Sequence, residues 1–395
     1  MLKTIDYLDV YDKKVFLRAD LNVPMSDGNV TDSTRIDRIA PTVMELVDKG
    51  AIVIVASHFG RPMGERHPDM SLEPLAGELS RALGGRNVSF AHDCIGPHAK
   101  KVVNGAKRSE IVLLENLRYH AGEEANDPDF AKQLSSLVDV YVNDAFSAAH
   151  RAHASTDALA GLLPAAAGRL MQAELEALDY ALGNPERPVG AIVGGSKIST
   201  KIDLLGNLVE KVDMLAIGGA MANTFLHALE TDIGKSVCEH DMADTALQIL
   251  GNADEAGCQI ILPSDAAVSA EFAKGAPSQV VPTAAIPSDM MILDVGPGSA
   301  NSLAVKLNDL KTLVWNGPLG AFEIPPFDAG TVMVAKVAAD LTRSGLLKTV
   351  AGGGDTVAAL ALADVLDEFS YVSTAGGAFL EWLEGKELPG VKALG

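Results

Sequence analysis

The 395-residue chain has few cysteines and few positive charges, and both shortages restrict its class. Its three cysteines, Cys94, Cys238 and Cys258, are widely spaced and form no CxxC pair, which excludes a disulfide framework and indicates free thiols in a reducing compartment. Only 32 Lys and Arg stand against 52 Asp and Glu, giving a net charge of −20. Because phosphate backbones attract basic surfaces, this charge argues against a nucleic-acid partner.

Long hydrophobic runs are also missing. The run Ala51–Ala56 is typical, and it is far shorter than the roughly 20 apolar residues of a membrane-spanning helix. The N-terminal segment carries Asp6 and Asp9 where a signal peptide needs an apolar core. Hydrophobic and charged fractions of 48% and 21% are typical of globular proteins and exclude collagen-like, coiled-coil and disordered chains. We therefore expect a soluble cytoplasmic protein without a membrane partner.

Short apolar runs alternate with longer amphipathic segments along the whole chain. They predict strands at Val15–Ala19, Ile52–Ala56, Val88–Ala91, Ile111–Leu114, Val138–Val142, Val189–Val193, Met214–Ile217, Gln259–Leu262, Thr312–Trp315 and Thr349–Ala351. Runs that are apolar on consecutive residues are typical of parallel sheets covered on both faces. Their alternation with helical segments such as Ser71–Leu83 predicts an α/β fold of two doubly wound, Rossmann-like parallel-sheet domains. A single barrel fits less well, because the two sets of strand ends carry different chemistry.

The predicted join between the domains is the Pro/Gly/Ala-rich stretch Leu163–Gly168. It is followed by a predicted hinge helix, Met171–Leu182, which Gly183, Asn184 and Pro185 end. We predict an N-terminal domain over residues 1–169, a C-terminal domain over residues 170–382 and a tail over residues 383–395.

Polar or cationic side chains follow four of the first five predicted strands. Eleven of the thirteen arginines lie at or before Arg169, and Arg61, Arg118 and Arg151 each follow a different strand. Ligands of open parallel sheets lie at the carboxyl ends of the strands, so we expect these arginines to converge on a phosphate with a carboxylate at its other end. The alternative is that each is a surface ion pair worth about 0–1 kcal/mol. His58 is interpreted as a hydrogen-bond donor to the anion, and the HxxH pair His150 and His153 lacks a third metal ligand nearby.

Glycine-rich turns follow the strands of the second half. They are Gly194-Gly195, Gly218-Gly219, Asn316-Gly317-Pro318 and Gly352–Thr356. Glycine lets backbone N–H groups approach a phosphate or a base, and a following helix adds its positive dipole end. The alternative is that these are tight strand-to-helix turns with no ligand. Neither GxxxxGK[ST] nor GxGxxG occurs, so a P-loop enzyme and a dinucleotide dehydrogenase both lose support.

Three charged residues stand close to these turns. Lys197 and Lys201 are four residues apart at the start of a predicted helix and are expected on one helix face, although helix lysines are usually solvated. Asp355 follows three glycines and is placed to reach Mg²⁺ bound to phosphates. The alternative for Asp355 is a helix N-cap, a role that Thr356 could also fill.

Nine segments together resemble the phosphoglycerate kinase family over essentially the whole chain. They are Arg18–Pro24, Thr31–Ile36, Ser57–Pro62, Leu113–His120, Asn143–Thr156, Val193–Ile202, Gly218–Phe225, Val314–Glu323 and Gly352–Thr356. The resemblance implies a monomeric enzyme that converts 1,3-bisphosphoglycerate and ADP reversibly to 3-phosphoglycerate and ATP with Mg²⁺. It also implies direct in-line transfer after hinge closure, and C-terminal residues that return to the N-terminal domain.

The family's functional residues map onto this sequence as three sets. The resemblance assigns phosphoglycerate binding to Asp20, Leu21, Asn22, Arg35, His58, Phe59, Gly60, Arg61, Arg118 and Arg151. It assigns nucleotide binding to Gly194, Gly195, Lys201, Gly218, Gly219, Asn316, Pro318, Glu323, Gly353, Gly354, Asp355 and Thr356, with Asp355 also holding the metal. The catalytic set is Arg35, Lys197, Lys201, Gly376 and Gly377.

Three residues depart from the family pattern: Phe59 stands where Leu is expected, and Ala220 and Ala375 each replace a glycine. Two other functions compete with the kinase. A nucleotide- or anion-binding protein that has lost transfer leaves the joint presence of Arg35, Lys201 and Asp355 unexplained. A dehydrogenase would need the dinucleotide fingerprint that is missing.

Overall fold

The computed structural model describes residues 2–26 and 28–395. The chain divides into two compact units, one formed by Met1–Leu175 with Glu387–Gly395 and the other by Glu176–Lys386. Each unit contains its own parallel sheet. No helix in the described ranges is long and apolar enough to cross a membrane.

In the described part of the first unit, six parallel strands form one sheet. Their spatial order is Val88–Ala91, Ile111–Leu114, Ile52–Ala56, Lys14–Arg18, Val140–Asn143 and Ala165–Ala167. The α-helices of this unit are Thr34–Asp48, Leu75–Ala82, Gly96–Gly105, Ala121–Glu124, Pro128–Ser135 and, in the C-terminal tail, Pro389–Lys392. Helix Arg169–Leu178 begins in this unit and continues past its boundary at Leu175. The tail is tied to the unit by a hydrogen bond from Gly390 N to Ala149 O of 2.8 Å.

Burial explains why these segments adopt their structures. Every residue of Ile52–Ala56 is buried, as expected for a strand whose two faces are both covered. Helix Thr34–Asp48 buries Ile36, Ile39 and Val43, which recur at helical spacing, against the sheet side of the core.

In the described part of the second unit, the parallel sheet again has six strands. Their spatial order is Gln259–Ile261, Met214–Ile217, Val189–Val193, Thr312–Asn316, Lys348–Gly352 and Tyr371–Ser373. A separate antiparallel sheet contains Gln279–Pro282, Asp265–Ser269 and Met291–Val295. The α-helices are Ile202–Val209, Gly219–Ala228, Ala243–Ala256, Pro297–Leu307, Ala329–Arg343, Gly354–Leu362 and Gly376–Leu383.

The predicted fold class is confirmed, and each of the ten predicted strands is present with its ends shifted by at most two residues. Four features were not predicted. They are the edge strands Ala165–Ala167 and Tyr371–Ser373, the antiparallel sheet, and the hairpin of Met25–Ser26 with Asn29–Val30. Ala165–Ala167 lies in the stretch interpreted as the join, because alanine carries no strand signal.

Two predicted helices have different bounds. The segment predicted as Ser71–Leu83 is helical only over Leu75–Ala82. The predicted helix Met171–Leu182 starts earlier, at Arg169, and its α-helical part ends at Leu178. The chain then continues as a π-helical segment over Asp179–Gly183.

Candidate active site

The first group of site residues, which we call the cationic site, comprises Asp20, Asn22, Arg35, His58, Gly60, Arg61, Arg118 and Arg151. It lies at the carboxyl ends of four neighbouring strands of the first unit. Ala19 N donates to Ala56 O at 2.9 Å, and Asp144 N donates to Arg18 O at 2.9 Å, so the segments that follow the strands start side by side. This is the edge of an open parallel sheet where ligands bind.

Asp20, Asn22 and Arg35 form one linked group at this edge. Arg35 Nη1 lies 3.1 Å from Asp20 Oδ2 and donates to Asn22 O at 2.8 Å. Asn22 in turn accepts a hydrogen bond from Gly60 N at its side-chain oxygen, at 3.0 Å. Arg35 stands in the first turn of helix Thr34–Asp48, and 37% of its side chain is exposed. Its guanidinium therefore reaches solvent although it is already paired.

Arg118 is held against the same loop from the other side. Only 4% exposed, it donates from Nη1 to Gly60 O at 2.8 Å and pairs with Glu124 at 3.2 Å. Asn116 orders this loop, because its amide donates to Phe59 O at 2.7 Å and its Oδ1 accepts from Arg118 N at 3.0 Å. Sequence reasoning did not single out Asn116, whose partners are brought to it only by the fold.

The electrostatics of the cationic site favour an anion. Burial lowers the pKa of His58 well below its ordinary value, and the charges of Arg18 and Arg118 lower it further. Burial lowers the pKa of His153 to about 4, with further contributions from Arg118, Arg18 and Arg151. Both imidazoles are therefore neutral at neutral pH, and the positive field that adds to the effect of burial is available to a negatively charged ligand.

The remaining residues of the predicted phosphoglycerate set differ in their surroundings. Arg61 is exposed, and within residues 2–26 and 28–395 it has no hydrogen bond or ion pair. Arg151 is half-buried and donates from Nε to His150 Nε2 at 3.1 Å. Leu21 is fully buried, so it can offer a ligand only its backbone, and its N–H already donates to Ser57 Oγ at 2.8 Å.

The second group, which we call the glycine site, lies in the second unit between strands Val189–Val193 and Thr312–Asn316. Numbered by their order along the chain, the six strands of this sheet lie side by side in the order 3-2-1-4-5-6. Val189–Val193 is the first and Thr312–Asn316 the fourth, so these two strands border the topological switch point, where the strand order reverses. Gly194 N donates to Asn316 O at 2.9 Å. A Cβ on Gly194 would lie 1.8 Å from Pro318 O, so any side chain there would displace backbone.

A second close approach joins the next turn to the first. Gly219 has φ +66°, and a Cβ on it would lie 2.6 Å from Gly195 O. Its N–H donates to Leu319 O at 2.8 Å. Backbone packing alone therefore requires glycine at Gly194 and Gly219, whether or not a ligand binds beside them.

The prediction that Lys197 and Lys201 share a helix face is wrong. The helix begins only at Ile202, because the chain first turns back on itself, with Lys201 N donating to Ile198 O at 2.8 Å. Lys197 lies in the preceding loop and is exposed. Lys201 Nζ donates to Gly194 O at 2.6 Å and to Asn316 Oδ1 at 2.7 Å. The structure therefore brings Lys201 to the switch point.

Burial lowers the pKa of Lys201 to about 8, and the carboxylate of Asp355 acts in the opposite direction. Asp355 is exposed in the first turn of helix Gly354–Leu362, where Gly353 occupies the N-cap. Thr356 does not cap the helix either, since its hydroxyl accepts from Gly317 N at 2.7 Å. One exposed carboxylate on the lining of the adjoining cavity fits Mg²⁺, which takes one or two carboxylates and completes its shell with phosphate oxygens.

A cavity of about 350 Å³ adjoins the glycine site and is large enough for a small ligand. Its walls are mainly apolar, with Leu226, Val237 and Phe272 among them, and Glu323 lies on its lining. Asp294 also lines it but was not predicted, because nothing in the strand Met291–Val295 marks its carboxylate as special. Burial raises the pKa of Asp294 to about 7, although Gly330 N and Val295 N both donate to it.

Gly376 and Gly377 begin helix Gly376–Leu383, and the N-cap before them is Ala375. Ala375 has φ −89°, which alanine adopts without strain. Ala220 lies in helix Gly219–Ala228 and lines the cavity. The two alanines that replace family glycines are therefore accommodated by their backbone.

Comparison with known proteins identifies the family. The family model described as phosphoglycerate kinase matches residues 5–386. The chain belongs to the phosphoglycerate kinase family.

Named phosphoglycerate kinases cover nearly the whole chain. The phosphoglycerate kinase of Chelativorans sp. (strain BNC1) is 63% identical over 393 residues, with 99% of this chain and 98% of the relative covered. That of Rhizobium meliloti (strain 1021) is 61% identical over 393 residues, covering 99% and 98%. The solved phosphoglycerate kinase of Coxiella burnetii has a TM-score of 0.93 at 41% identity, covering 100% of this chain and 99% of that one.

Membership of the phosphoglycerate kinase family confirms the predicted activity. The chain is a glycolytic enzyme that transfers a phosphoryl group, with phosphoglycerate and the adenine nucleotides ADP and ATP as its substrates. A dehydrogenase and a non-catalytic binding protein are thereby set aside. The roles assigned above to individual residues stay predictions.

Proposed function

We propose that the cationic site binds phosphoglycerate, that the glycine site binds the nucleotide with Mg²⁺, and that the phosphoryl group passes directly between the two ligands. This proposal rests on the difference in chemistry between the cationic site and the glycine site. Buried cationic side chains surround neutral imidazoles in one unit, whereas a lysine amine stands among packed backbone turns beside a cavity in the other.

Phosphoglycerate has a phosphate and a carboxylate, and the cationic site matches both groups. Arg118 and Arg151 can take oxygens of one end, because arginine binds planar anionic groups with two parallel hydrogen bonds. Arg35 is paired with Asp20 at 3.1 Å and remains partly exposed, so it can turn to a ligand oxygen. Asp20, Asn22 and the backbone at Gly60 then hold the hydroxyl and the loop in place.

The glycine site suits a nucleotide for separate reasons. The apolar cavity can receive the adenine, and Glu323 on its lining can accept hydrogen bonds from the ribose hydroxyls. Lys201 and the N–H groups at the start of helix Gly354–Leu362 can meet the phosphates. Asp355 would hold Mg²⁺, which when bound neutralises charge on the phosphate oxygens.

The transfer step mainly requires positioning and positive charge. We assign Arg35, Lys197, Lys201 and the N-terminal amides at Gly376 and Gly377 to the transferring phosphoryl group, whose charge is spread over three oxygens. No residue forms a covalent intermediate. Because the two ligands must meet, we place the necessary motion in the segment 163–183, and its closure would also exclude water.

We further propose that the enzyme works as a cytoplasmic monomer. Three free cysteines, of which Cys94 and Cys258 are buried, support a reducing compartment. Sedimentation equilibrium of the purified chain tests the oligomeric state.

Titration of each ligand separately tests the assignment of sites. We expect Arg118→Lys to weaken 3-phosphoglycerate binding and leave ADP binding unchanged, and Glu323→Gln to do the reverse. A coupled assay with 3-phosphoglycerate, ATP and Mg²⁺ measures turnover in the same preparations. Competition between 3-phosphoglycerate and ADP for one pocket would contradict the proposal.

A further inference from the structure

Arg18, the last residue of the strand Lys14–Arg18, is only 1% exposed and is absent from the ligand-binding set. Its guanidinium makes three contacts. Nε donates to Ser155 Oγ at 2.8 Å, Nη1 donates to Ala19 O at 2.5 Å, and Nη2 lies 3.1 Å from His58 Nδ1. An arginine buried this deeply cannot reach a ligand itself, but it touches a residue that can.

The contact with His58 decides where the imidazole carries its proton. A guanidinium has only N–H donors and does not lose its proton in proteins. In the contact with Arg18 Nη2, Nδ1 of His58 must therefore be the acceptor, which leaves the single proton of the neutral ring on Nε2.

The imidazole is neutral mainly because it is buried, and the arginines around it act in the same direction. After burial, the groups that lower its pKa are Arg18, Arg118, His153 and Arg35. His58 is 8% exposed, and its Nε2 has no hydrogen-bond partner in the described part of the chain, yet this atom is not closed off from solvent. Nε2 is thus the open end of the ring.

Arg18 is itself held in place by a buried carboxylate. Glu123 is fully buried and accepts from Ser155 N at 3.0 Å and from Ser155 Oγ at 2.6 Å. Tyr141 Oη donates to Ser155 O at 2.8 Å. The plane of the Arg18 guanidinium is therefore set by protein groups before any ligand arrives.

We propose that Arg18 is a positioning residue that fixes His58 as the Nε2–H tautomer, so that Nε2 donates one directed hydrogen bond to an oxygen of the phosphoglycerate. This rests on the proposed function in one respect, the placement of His58 in the phosphoglycerate site. The opposite tautomer would present an unprotonated nitrogen to an anionic oxygen, and two acceptors repel each other.

Nitrogen-15 NMR of the ring, with the ¹⁵N-labelled full chain, tests the tautomer without any variant. In the free enzyme at neutral pH we expect an unprotonated Nδ1 and a protonated Nε2. Addition of 3-phosphoglycerate should shift the Nε2–H resonance and leave Nδ1 unprotonated. A protonated Nδ1, in a neutral or a charged ring, overturns the proposal.

Two substitutions at Arg18 separate tautomer control from simple packing. Arg18→Gln offers both a donor and an acceptor to Nδ1, so the tautomer is no longer fixed and the KM for 3-phosphoglycerate should rise about tenfold, the loss of roughly one hydrogen bond to a charged group. Arg18→Lys offers only donors and should keep the Nε2–H tautomer. Ser155→Ala is the matched control: it removes the hydroxyl that holds Arg18 Nε, but Arg18 still offers only donors to Nδ1, so the Nε2–H tautomer should persist although the guanidinium is held less firmly.

His58→Gln provides a rescue, since its amide N–H₂ can donate near the position of Nε2 without help from Arg18. In that background we expect Arg18→Gln to raise KM much less than in the parent enzyme. An equal rise in both backgrounds overturns the proposal and assigns Arg18 a purely structural role.

The two hypotheses fail in different ways. If 3-phosphoglycerate binds and the His58 resonances do not move, then the placement of His58 in the site is wrong, and with it the proposed donation to the ligand. If the Nε2–H resonance moves but Nδ1 is protonated, the site assignment stands and the role of Arg18 is wrong.

Discussion

The two units share one architecture but build their sites from different parts of the chain. The first unit uses long cationic side chains, with Arg35, Arg118 and Arg151 standing at strand and helix ends. The second unit uses the backbone, and at Gly194 and Gly219 even one added carbon would collide with a neighbouring turn. In the first unit the chemistry therefore depends on which side chain is present, and in the second on where a side chain is absent.

The largest effect should come from breaking the backbone packing of the second unit. Gly194→Ala places Cβ 1.8 Å from Pro318 O, so we expect a loss of more than about 4 kcal/mol in the free energy of unfolding. Gly206→Ala is the control, because nothing lies within 4 Å of its Cβ and it stands inside helix Ile202–Val209, where alanine should stabilise. Denaturant unfolding measures the free energy of unfolding of both variants. Similar values for the two would contradict the conclusion that backbone packing requires glycine at Gly194.

Lys201 is the exception in the second unit, a side chain placed among the backbone turns. Lys201→Met removes a charge directed at the phosphates, and we expect kcat to fall about a hundred- to a thousandfold. Lys197→Met serves as the comparison, because Lys197 is exposed in a loop, and a smaller loss is expected. Steady-state kinetics with saturating ATP and 3-phosphoglycerate measure kcat for both variants. An equal loss of kcat in the two would show that the position of Lys201 at the switch point does not matter.

Acid should affect the two units in opposite ways. The folded pKa of His153 is about 4, below its ordinary 6.5, so its contribution to stability is present above pH 6.5 and is lost as pH falls towards 4. The folded pKa of Asp294 is about 7, above its ordinary 3.8, so its contribution is present at low pH and is lost as pH rises towards 7.

Variants isolate these two contributions, which we expect to be about 2 kcal/mol each after allowing for relaxation. Relative to the parent enzyme, His153→Gln should gain stability as pH falls from about 7 to about 5, and Asp294→Asn should gain it as pH rises over the same range. Urea unfolding at the two pH values provides the measurement. If the stabilities of both variants, relative to the parent enzyme, changed in the same direction with pH, burial would not shift the pKa values of His153 and Asp294 in opposite directions.

Within the cationic site, the planar shape of arginine should matter as much as its charge. Arg118→Lys keeps the charge but loses the contact with Gly60 O and the paired donors, so we expect about tenfold weaker 3-phosphoglycerate binding. Arg61→Lys should weaken binding less, because Arg61 is exposed and not held by a described residue. Calorimetric titration of both variants tests this, and the reverse order would contradict it.

The smallest effect is expected at Ala375. Its φ of −89° suits alanine, so Ala375→Gly should cost at most about 1 kcal/mol of stability through the greater freedom of the unfolded chain, with kcat unchanged. Thermal unfolding and steady-state kinetics check the two parts. A marked rise in kcat would show that alanine restricts the helix start.

The sequence predicted those parts of the fold that leave a local signal. Buried strands such as Ile52–Ala56 are continuous apolar runs, whereas Ala165–Ala167 carries no side chain that favours a strand. The antiparallel strands were missed because their burial is partial, as in Gln279–Pro282.

The same holds for the site. Arg61, Arg118 and the glycine turns were assigned from strand ends, but Arg35 was assigned only through the family resemblance, because its pairing with Asp20 is created by the fold. Asn116 and Asp294 were missed for the same reason. The positions of Lys197 and Lys201 were mispredicted because a spacing of four residues does not show where a loop ends and a helix begins.

The close approach of Gly194 to Pro318 O also bears on how this enzyme could evolve. Single-base changes in the arginine codons of the first unit give other side chains that the same backbone can hold. Recognition of the phosphorylated acid substrate can therefore change one residue at a time. At Gly194 every replacement meets a carbonyl oxygen first. A new nucleotide preference would therefore have to arise at the apolar cavity wall. We expect the glycine turns to stay unchanged while the residues around them are substituted.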